Sequence, residues 1–263
     1  DNLRVESLSG LVIVDNVSLE LKRGEVLGLI GESGAGKSTI GLASMVYARA
    51  GCRITGGRVE IDGDSIRDLS ADDRRKMRGQ RIAYIAQSAA ASFNPAHRLI
   101  DQVCEMPIEH GLMTAAEAKA WALELFRALD LPNPDTFGDR YPHQVSGGQL
   151  QRAMAAMAMS CKPDILVLDE PTTALDVTVQ AQVLDLLRNI RDTHGTSILF
   201  ITHDLGVVAT LYDRVYVMYS GAIVEEGPVE QIFSNPSHPY TRGLLDATPR
   251  VHGTLTGLKP IPG

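Results

Sequence analysis

Continuous apolar runs of strand length recur along the chain and alternate with segments of helical periodicity. EVLGLIG predicts a strand, and ILVLDEP and SILFITH predict buried strands. GRVEIDG and RIAYIAQ predict two more strands. Helical spacing follows in GAGKSTIGLASMVYA, and residues 177–194 predict an amphipathic helix that ends at Gly195. This alternation predicts an α/β fold.

The pattern changes between about Ser88 and Ser160, where it becomes helical and where TAAE at Thr114–Glu117 predicts a capping box. Further along, VYVMYSGAIVEEG predicts a hairpin that turns at Ser220-Gly221. From Asn235 the chain is rich in Pro, Gly and Thr, which is typical of a tail or linker. The predicted division is a core with a β subdomain at 1–87 and 161–235, a helical subdomain at 88–160, and a tail or linker at 236–263.

Composition narrows the class of protein. The chain has 263 residues, 44% hydrophobic and 22% charged, as in ordinary soluble globular proteins. Its net charge of −7 leaves no basic surplus for nonspecific binding to nucleic acid. The three cysteines are scattered without metal-ligand spacing, which predicts reduced thiols in a cytosolic protein. The apolar runs are far shorter than the ~20 residues that cross a bilayer, and no signal peptide is expected.

A phosphate-binding loop is predicted where the first strand meets a helix. Residues 31–38, GESGAGKS, match the pattern GxxxxGK[ST] in that structural context. The glycines allow backbone amides to wrap phosphates, Lys37 is expected to reach the β and γ phosphates, and the Ser38 hydroxyl to bind Mg²⁺. A flexible glycine turn, the alternative, does not account for the strand, lysine and helix together. The predicted nucleotide ligands here are Gly31, Ser33, Gly34, Ala35, Gly36, Lys37, Ser38 and Thr39.

Polar residues also follow the ends of three other predicted strands. Asp169 ends one strand and is expected to complete the Mg²⁺ shell through water, and Glu170 to deprotonate the water that attacks the γ phosphate. Gln87 and His203 follow the strands RIAYIA and SILFIT. Taken singly, these two residues are more typical of caps or core polar groups, and Asp169-Glu170 of a solvated turn. Together they end core strands, where open α/β sheets bind ligands.

A second glycine-containing helix start, VSGGQ at residues 145–149, lies more than a hundred residues after the first. Serine and bare glycines at a helix N-terminus are a suitable anion cap. One ATP bound by one chain does not explain two such helix starts.

In order, these motifs resemble those of ATP-binding cassette (ABC) ATPases over about residues 3–239: the phosphate loop, Gln87, VSGGQ, Asp169-Glu170, ALD at 174–176 and His203. The resemblance implies an α/β P-loop NTPase core of ABC type with an antiparallel β subdomain and an inserted all-helical subdomain, using ATP and Mg²⁺. It implies two cassettes packed head to tail, each VSGGQ segment capping the partner's γ phosphate. It also implies catalytic roles for Glu170, His203 and Gln87, metal ligation by Ser38, Gln87 and Asp169, and nucleotide contacts by Gln87, Ser146, Gly147, Gly148, Gln149 and Asp176.

Longer strings resemble the oligopeptide/dipeptide/nickel importer subfamily: EPTTALDVTVQ, THDLGVVA and NPSHPYT. This resemblance implies the energy-coupling subunit of a binding-protein-dependent importer for peptides or related small solutes, at the cytoplasmic face of the bacterial inner membrane. The expected partners are a second cassette (identical, paralogous or fused), two permease subunits that dock on the helical insert and, indirectly, an extracytoplasmic solute-binding protein. No nucleic-acid partner is expected.

The sequence departs from the family pattern upstream of the phosphate loop. Residues 1–30 contain no aromatic side chain for adenine to stack on, so the base is expected to rest on aliphatic side chains such as Leu11 or Val12. The main alternative function is a soluble ABC ATPase acting on nucleic acid or ribosomes, and the short helical insert and acidic charge argue against it. An exporter cassette and a P-loop kinase fit the motifs less well.

Overall fold

The structure is a computed structural model that describes residues 1–171, 177–211 and 213–247. Its strands are β1 (Leu3–Ser7), β2 (Val12–Val17), β3 (Val26–Ile30), β4 (Cys52–Gly56), β5 (Glu60–Ile61), β6 (Asp64–Ser65), β7 (Ile82–Ile85), β8 (Ile165–Asp169), β9 (Ser197–Thr202), β10 (Arg214–Tyr219) and β11 (Ala222–Pro228). Its helices are α1 (Lys37–Ala43), α2 (Ala71–Gln80), α3 (Ala89–Ser92), α4 (Leu99–Glu109), α5 (Ala115–Ala128), α6 (Pro134–Phe137), α7 (Gly147–Met159), α8 (Val177–His194), α9 (Leu205–Leu211), α10 (Val229–Ser234) and α11 (Pro239–Asp246). Within the described ranges, none of these helices combines the length and apolar character needed to cross a membrane.

The chain divides into two compact units. One comprises residues 1–68 and the chain from Leu199 onward, and the other comprises Leu69–Ile198. The second unit therefore groups residues 69–87 and 161–198 with the helical segment, whereas the sequence pattern places them in the core. Residues 69–87 group with the helical segment in part because helices α2 and α7 both pack against β7. The predicted three-part division of the chain stays a prediction.

An antiparallel sheet in the first unit has the strand order β2-β1-β4. Val5 of β1 pairs with Val14 on one side and with Ile54 on the other. Both valines are almost fully buried, so this sheet has one face in the core of the unit. It corresponds to the antiparallel β subdomain that the resemblance implies.

The phosphate-loop strand β3 also belongs to the first unit, and all five of its residues are buried. It pairs in parallel with β10, with Gly28 opposite Val215, and it neighbours β9. β10 continues into β11 through Ser220 and Gly221, whose φ angles of 47° and 83° are typical of a two-residue hairpin turn. The predicted hairpin is confirmed.

In the second unit, β7 and β8 form a parallel pair with Ile85 opposite Leu168. Helices α4, α5 and α7 pack on one another. The rings of Phe126 and Phe137 meet edge to face at 5.4 Å and are fully buried. The predicted capping box begins α5: the Thr114 amide donates to the Glu117 carboxylate at 2.8 Å, and the Glu117 amide donates to the Thr114 hydroxyl at 3.3 Å.

Several element limits differ from the sequence pattern. α1 ends at Ala43 although helical spacing extends to Ala48, because Val46 has a φ of 51° that a continuing helix does not allow. The GRVEIDG strand is reduced to the two residues of β5, which pair with β6. The segment after Asn235, predicted as tail or linker, contains α11, in which Tyr240 and Thr241 are buried. Residues Pro239–Asp246 are therefore part of a folded unit.

Candidate functional site

The predicted phosphate loop connects β3 to α1, and its glycines are explained by positive φ angles and, at Gly31 and Gly36, by close packing. Gly31, Gly34 and Gly36 have φ angles of 149°, 86° and 101°, which other residues rarely adopt. A Cβ on Gly31 would lie 2.1 Å from the Met218 carbonyl oxygen, and one on Gly36 would lie 3.1 Å from the Ile13 carbonyl oxygen. The backbone of the loop is thus pressed against β10 and β2, which fixes where its amides lie.

Lys37 is held inside the loop. It is only 5% exposed, and its Nζ donates to the carbonyl oxygens of Gly31 at 2.8 Å and Glu32 at 2.7 Å. Ser38 and Thr39 follow it in the first turn of α1, half-buried. An ammonium fixed beside the first amides of a helix is suited to bind phosphate oxygens, because both are donors with positive charge character. The residues predicted from GxxxxGK[ST] thus lie together in one loop.

The carboxyl end of β8 carries the predicted metal ligand. Asp169 is 4% exposed, and the Tyr84 hydroxyl on the neighbouring strand β7 donates to its Oδ2 at 2.5 Å. Tyr84 was not predicted as a site residue. The only signal for it in the sequence is an aromatic residue three positions before Gln87, and its contact with Asp169 depends on the pairing of β7 with β8.

Glu170 and Gln87 lie together in the second unit. The Gln87 Nε2 donates to the Glu170 Oε2 at 2.8 Å. Glu170 has a φ of 50°, an uncommon conformation for a residue with a side chain, and such conformations concentrate at functional sites. It is half-buried, whereas Gln87 is exposed. The structure therefore brings the predicted base into direct contact with the predicted glutamine ligand.

The second glycine segment begins α7. Ser146 is the N-cap, its hydroxyl accepts from the Gln149 amide at 3.3 Å, and Gln149 Oε1 accepts from the Ser146 amide at 3.1 Å. SGGQ is therefore also a capping box, which the sequence analysis missed although the spacing S-x-x-Q signals it. Ser146 and Gly147 are exposed at this helix start.

Gln151, one turn into α7, ties the same helix to the segment after Glu170. Its Nε2 donates to the Pro171 carbonyl oxygen at 2.8 Å. This residue too was missed by sequence reasoning, because its partner lies on another element. The first turns of α7 are thereby hydrogen-bonded to the residue that follows the predicted base.

The remaining predicted residues fall in different places. His203 is exposed directly after β9, in the first unit with the phosphate loop. Asp176 lies outside the described residues. Leu11 and Val12, the expected adenine contacts, are 69% and 38% exposed. Their exposure is compatible with a ligand contact, and the adenine site stays a prediction.

The donor set fits the ligands that the motifs require. The predicted ligands all carry oxygen: Ser38 in the first unit has a hydroxyl, and in the second unit Asp169 has a carboxylate and Gln87 an amide oxygen. Mg²⁺ prefers oxygen donors. Among the residues that the structure describes, no group of three or more His, Cys, Asp or Glu side chains forms a metal cluster. Mg²⁺ commonly takes few protein ligands and the rest from phosphate and water. The metal ligands stay a prediction.

Comparison with known proteins settles the family. A family model described as ABC transporter matches residues 14–173. The chain belongs to the ABC transporter family of ATP-binding proteins. A second model, described as the C-terminal region of oligopeptide/dipeptide transporters, matches residues 224–263 of the cassette.

Curated relatives match nearly the whole cassette. It is 45% identical over 94% of its length to a probable peptide ABC transporter ATP-binding protein, y4tR, of Sinorhizobium fredii, and covers 74% of that protein. It is 43% identical over 96% of its length to the oligopeptide transport ATP-binding protein AmiE of Streptococcus pneumoniae, and it covers 72% of that protein. It is 43% identical over 95% of its length to the dipeptide transport ATP-binding protein DppD of Lactococcus lactis, and it covers 72% of that protein.

Solved structures agree with the fold. The dimeric structure of MJ0796, a bacterial ABC transporter cassette, matches with a TM-score of 0.77 and 28% identity, over 87% of this chain and 97% of that chain. A post-hydrolysis state of MJ0796 bound to ADP and Pi matches with a TM-score of 0.75 and 27% identity, over 86% of this chain and 98% of that chain. The cassette is thus an α/β P-loop NTPase of the ABC type and an ATPase, with ATP and Mg²⁺ as its nucleotide and metal. The roles of individual residues stay predictions.

Proposed function

We propose that the cassette is the energy-coupling ATPase of a binding-protein-dependent importer for peptides or related small solutes. The observation that carries this proposal is the match of residues 224–263 to the C-terminal region of oligopeptide/dipeptide transporters. Relatives named for peptide, oligopeptide and dipeptide transport support it. The proposed location is the cytoplasmic face of the bacterial inner membrane, where the cassette associates peripherally with two permease subunits that receive solute from a binding protein.

In this proposal the residues act on ATP in separate roles. The amides of the phosphate loop and the Lys37 ammonium bind the β and γ phosphates. Ser38, Gln87 and Asp169 would hold Mg²⁺, which when bound would neutralise charge on the phosphate oxygens. Glu170 takes a proton from the attacking water, Gln87 orients the Glu170 carboxylate through the 2.8 Å contact, and His203 contacts the γ phosphate.

A second cassette, identical, paralogous or fused, completes each site in this proposal. Ser146 caps its own helix with an oxygen lone pair, so its hydroxyl proton is still available to a ligand. Gly147 exposes the helix start without a side chain, and a Cβ there would meet no atom within 4 Å. The first amides of a 13-residue helix are therefore accessible to a partner's γ phosphate. The dimeric cassette MJ0796 is a precedent for pairing.

Two substitutions at Ser146 test the shared site. Ser146→Asp keeps an oxygen acceptor for the helix cap but adds a negative charge that repels phosphate. Ser146→Arg adds bulk. Both variants are made in a slow-hydrolysing Glu170→Gln background, and the partner cassette is supplied if it is a different chain. They are expected to bind ATP as single chains and to lose the ATP-dependent dimer in size-exclusion chromatography with Mg²⁺. A Ser146→Asp protein that dimerises with ATP as well as its parent contradicts the shared site.

The permease is proposed to dock on the helical region. There, Asn94, His97, Asp101, Gln102, Glu105, Ile108 and Glu109 line a groove of about 330 Å³. Asp101, Glu105 and Glu109 recur every fourth residue of α4 and so share one face of that helix. An acidic groove with an exposed Ile108 fits a permease segment that carries basic and apolar side chains.

Charge reversal tests this docking face. Glu105→Lys is expected to reduce co-purification with permease subunits while ATP binding stays at the parental level. Glu124→Lys on α5, also exposed, is the matched control for the change in net charge. Equal recovery of permease with both variants contradicts the docking assignment.

The importer function itself is tested on the intact complex. We expect affinity purification from native membranes to recover a second cassette and two permease proteins, identified by mass spectrometry. In proteoliposomes, that complex is expected to accumulate a labelled peptide only with ATP and the cognate binding protein. Recovery of ribosomal proteins or nucleic acid in place of permeases supports the soluble ABC ATPase alternative and overturns the importer.

A further inference from the structure

We propose that Tyr240 of α11 is a positioning residue that holds the phosphate loop in its ATP-binding conformation, so that the C-terminal region sets the nucleotide affinity. The inference rests on the assignment of Gly31–Ser38 as the phosphate loop. Tyr240, His238 and Glu225 all lie within residues 224–263, the segment that matches the oligopeptide/dipeptide transporter model.

The contact is a hydrogen bond to the backbone of the loop. The Glu32 amide donates to the Tyr240 hydroxyl oxygen at 3.0 Å. The carbonyl oxygen of the same residue accepts from Lys37 Nζ at 2.7 Å. Tyr240 therefore holds one side of Glu32 while the phosphate-binding lysine is bound to the other side. A shift of Glu32 moves an acceptor of Lys37.

Several contacts fix the position of the Tyr240 hydroxyl. The ring is 6% exposed and stacks at a tilt on Tyr219, with centroids 4.4 Å apart. Its backbone amide donates to His238 Nδ1 at 3.1 Å, which caps α11. The Glu225 carboxylate accepts from the amides of Ser237 at 2.6 Å and His238 at 3.0 Å. The start of α11 is thus anchored to β11, and the hydroxyl is directed at Glu32 by more than one element.

The hairpin that precedes α11 contacts the same loop independently. The Gly221 amide donates to the Ala35 carbonyl oxygen at 3.1 Å, and the Met218 carbonyl leaves no room for a Cβ on Gly31. The loop residues 31, 32 and 35 are therefore all contacted from residues 218–240. These contacts support the loop from the side of the C-terminal region.

Tyr240→Phe removes the hydroxyl and keeps the ring, so the stacking on Tyr219 survives. A neutral hydrogen bond of this kind corresponds to an effect of about 5-fold on an equilibrium constant. We expect the Kd for ATP, measured by titration of the full chain with a fluorescent ATP analogue, to rise about 5-fold. The kcat at saturating ATP should stay close to the parental value, because Tyr240 touches neither the base nor the metal ligands. A role in general stability alone would lower the melting temperature without this change in Kd.

Tyr219→Phe is the matched control, since it removes the neighbouring hydroxyl and keeps the same ring pair. It should bind ATP like the parent. Hydrogen exchange at the Glu32 amide is the second measurement, expected to be faster in Tyr240→Phe and unchanged in Tyr219→Phe. Parental affinity and exchange in Tyr240→Phe, or equal losses in both variants, overturn the proposal. Lys37→Ala is run in parallel: if it also binds ATP normally, the phosphate-loop assignment itself is wrong, whereas its failure beside a normal Tyr240→Phe refutes only the role of Tyr240.

Discussion

Glu170→Gln is expected to separate ATP hydrolysis from ATP binding in this cassette. The substitution removes the basic carboxylate but preserves the size of the side chain and an oxygen that can accept from Gln87 Nε2, as Oε2 does at 2.8 Å. Glutamate and glutamine are equally strained at the backbone φ of 50°, so the substitution introduces no new strain. A loss of rate much larger than the weakening of this one contact therefore reports on the base.

The expected loss of rate is large compared with the loss of this contact. Replacing a charge-assisted hydrogen bond by a neutral one costs about 1 kcal/mol, or about 5-fold. Loss of a positioned general base costs ~10²–10⁴-fold in rate, which corresponds to ~2.7–5.5 kcal/mol in the activation barrier. The loss of rate expected from removing the base exceeds that expected from weakening the hydrogen bond by at least an order of magnitude. Measured rates therefore distinguish the two causes.

The assay measures phosphate release at saturating ATP and Mg²⁺, with the Kd for ATP determined on the same preparation. Gln87→Ala serves as the comparison at saturating Mg²⁺, since it removes this contact and one proposed metal ligand but leaves the carboxylate. The Kd of Glu170→Gln should stay near the parental value. A Glu170→Gln protein that hydrolyses ATP at the parental rate refutes Glu170 as the base.

Three further perturbations test the site and the fold. Lys37→Ala should abolish productive ATP binding, because the buried ammonium that bridges Gly31 and Glu32 is lost; unchanged affinity and turnover contradict the phosphate assignment. Ser38→Ala and Asp169→Asn should shift the Mg²⁺ dependence of ATPase activity more than nucleotide affinity without metal, and titration curves that overlay the parent rule out their coordination role. Hydrogen bonds from the Thr114 amide, and then from its hydroxyl, lower the pKa of Glu117 below its usual 4.5. The charged carboxylate therefore stabilises α5 fully above pH 4.5, and this stabilisation is lost as the pH falls through the lowered pKa. The difference in melting temperature between the parent and Glu117→Ala should therefore shrink from about pH 7 to about pH 3, and a constant difference argues against the capping box as its source.

Local pattern alone predicts the elements whose determinants are local. α8 runs from Val177 to His194 as predicted, since its apolar period and the following Gly195 are both local signals. The strands before Asp169 and His203 are buried as their continuous apolar runs indicate. The phosphate loop is equally predictable, because its glycines, lysine and serine are adjacent in sequence and their chemistry requires little else. Family membership followed from the order of such motifs.

Contacts between residues far apart in the sequence determine the features that the hydrophobic pattern does not predict. Gln87 meets Glu170 across 83 residues, and Tyr240 meets Glu32 across 208 residues, so no local period marks either pair. The segment after Asn235 lacks a strong pattern of its own, and α11 is part of the fold because the Glu225 carboxylate anchors its start and Tyr240 is buried there. A short helix of eight residues is marginal by its own propensity and depends on tertiary packing. The sequence by itself therefore determined the phosphate chemistry and the family, and the tertiary structure decided which distant side chains hold that chemistry in place.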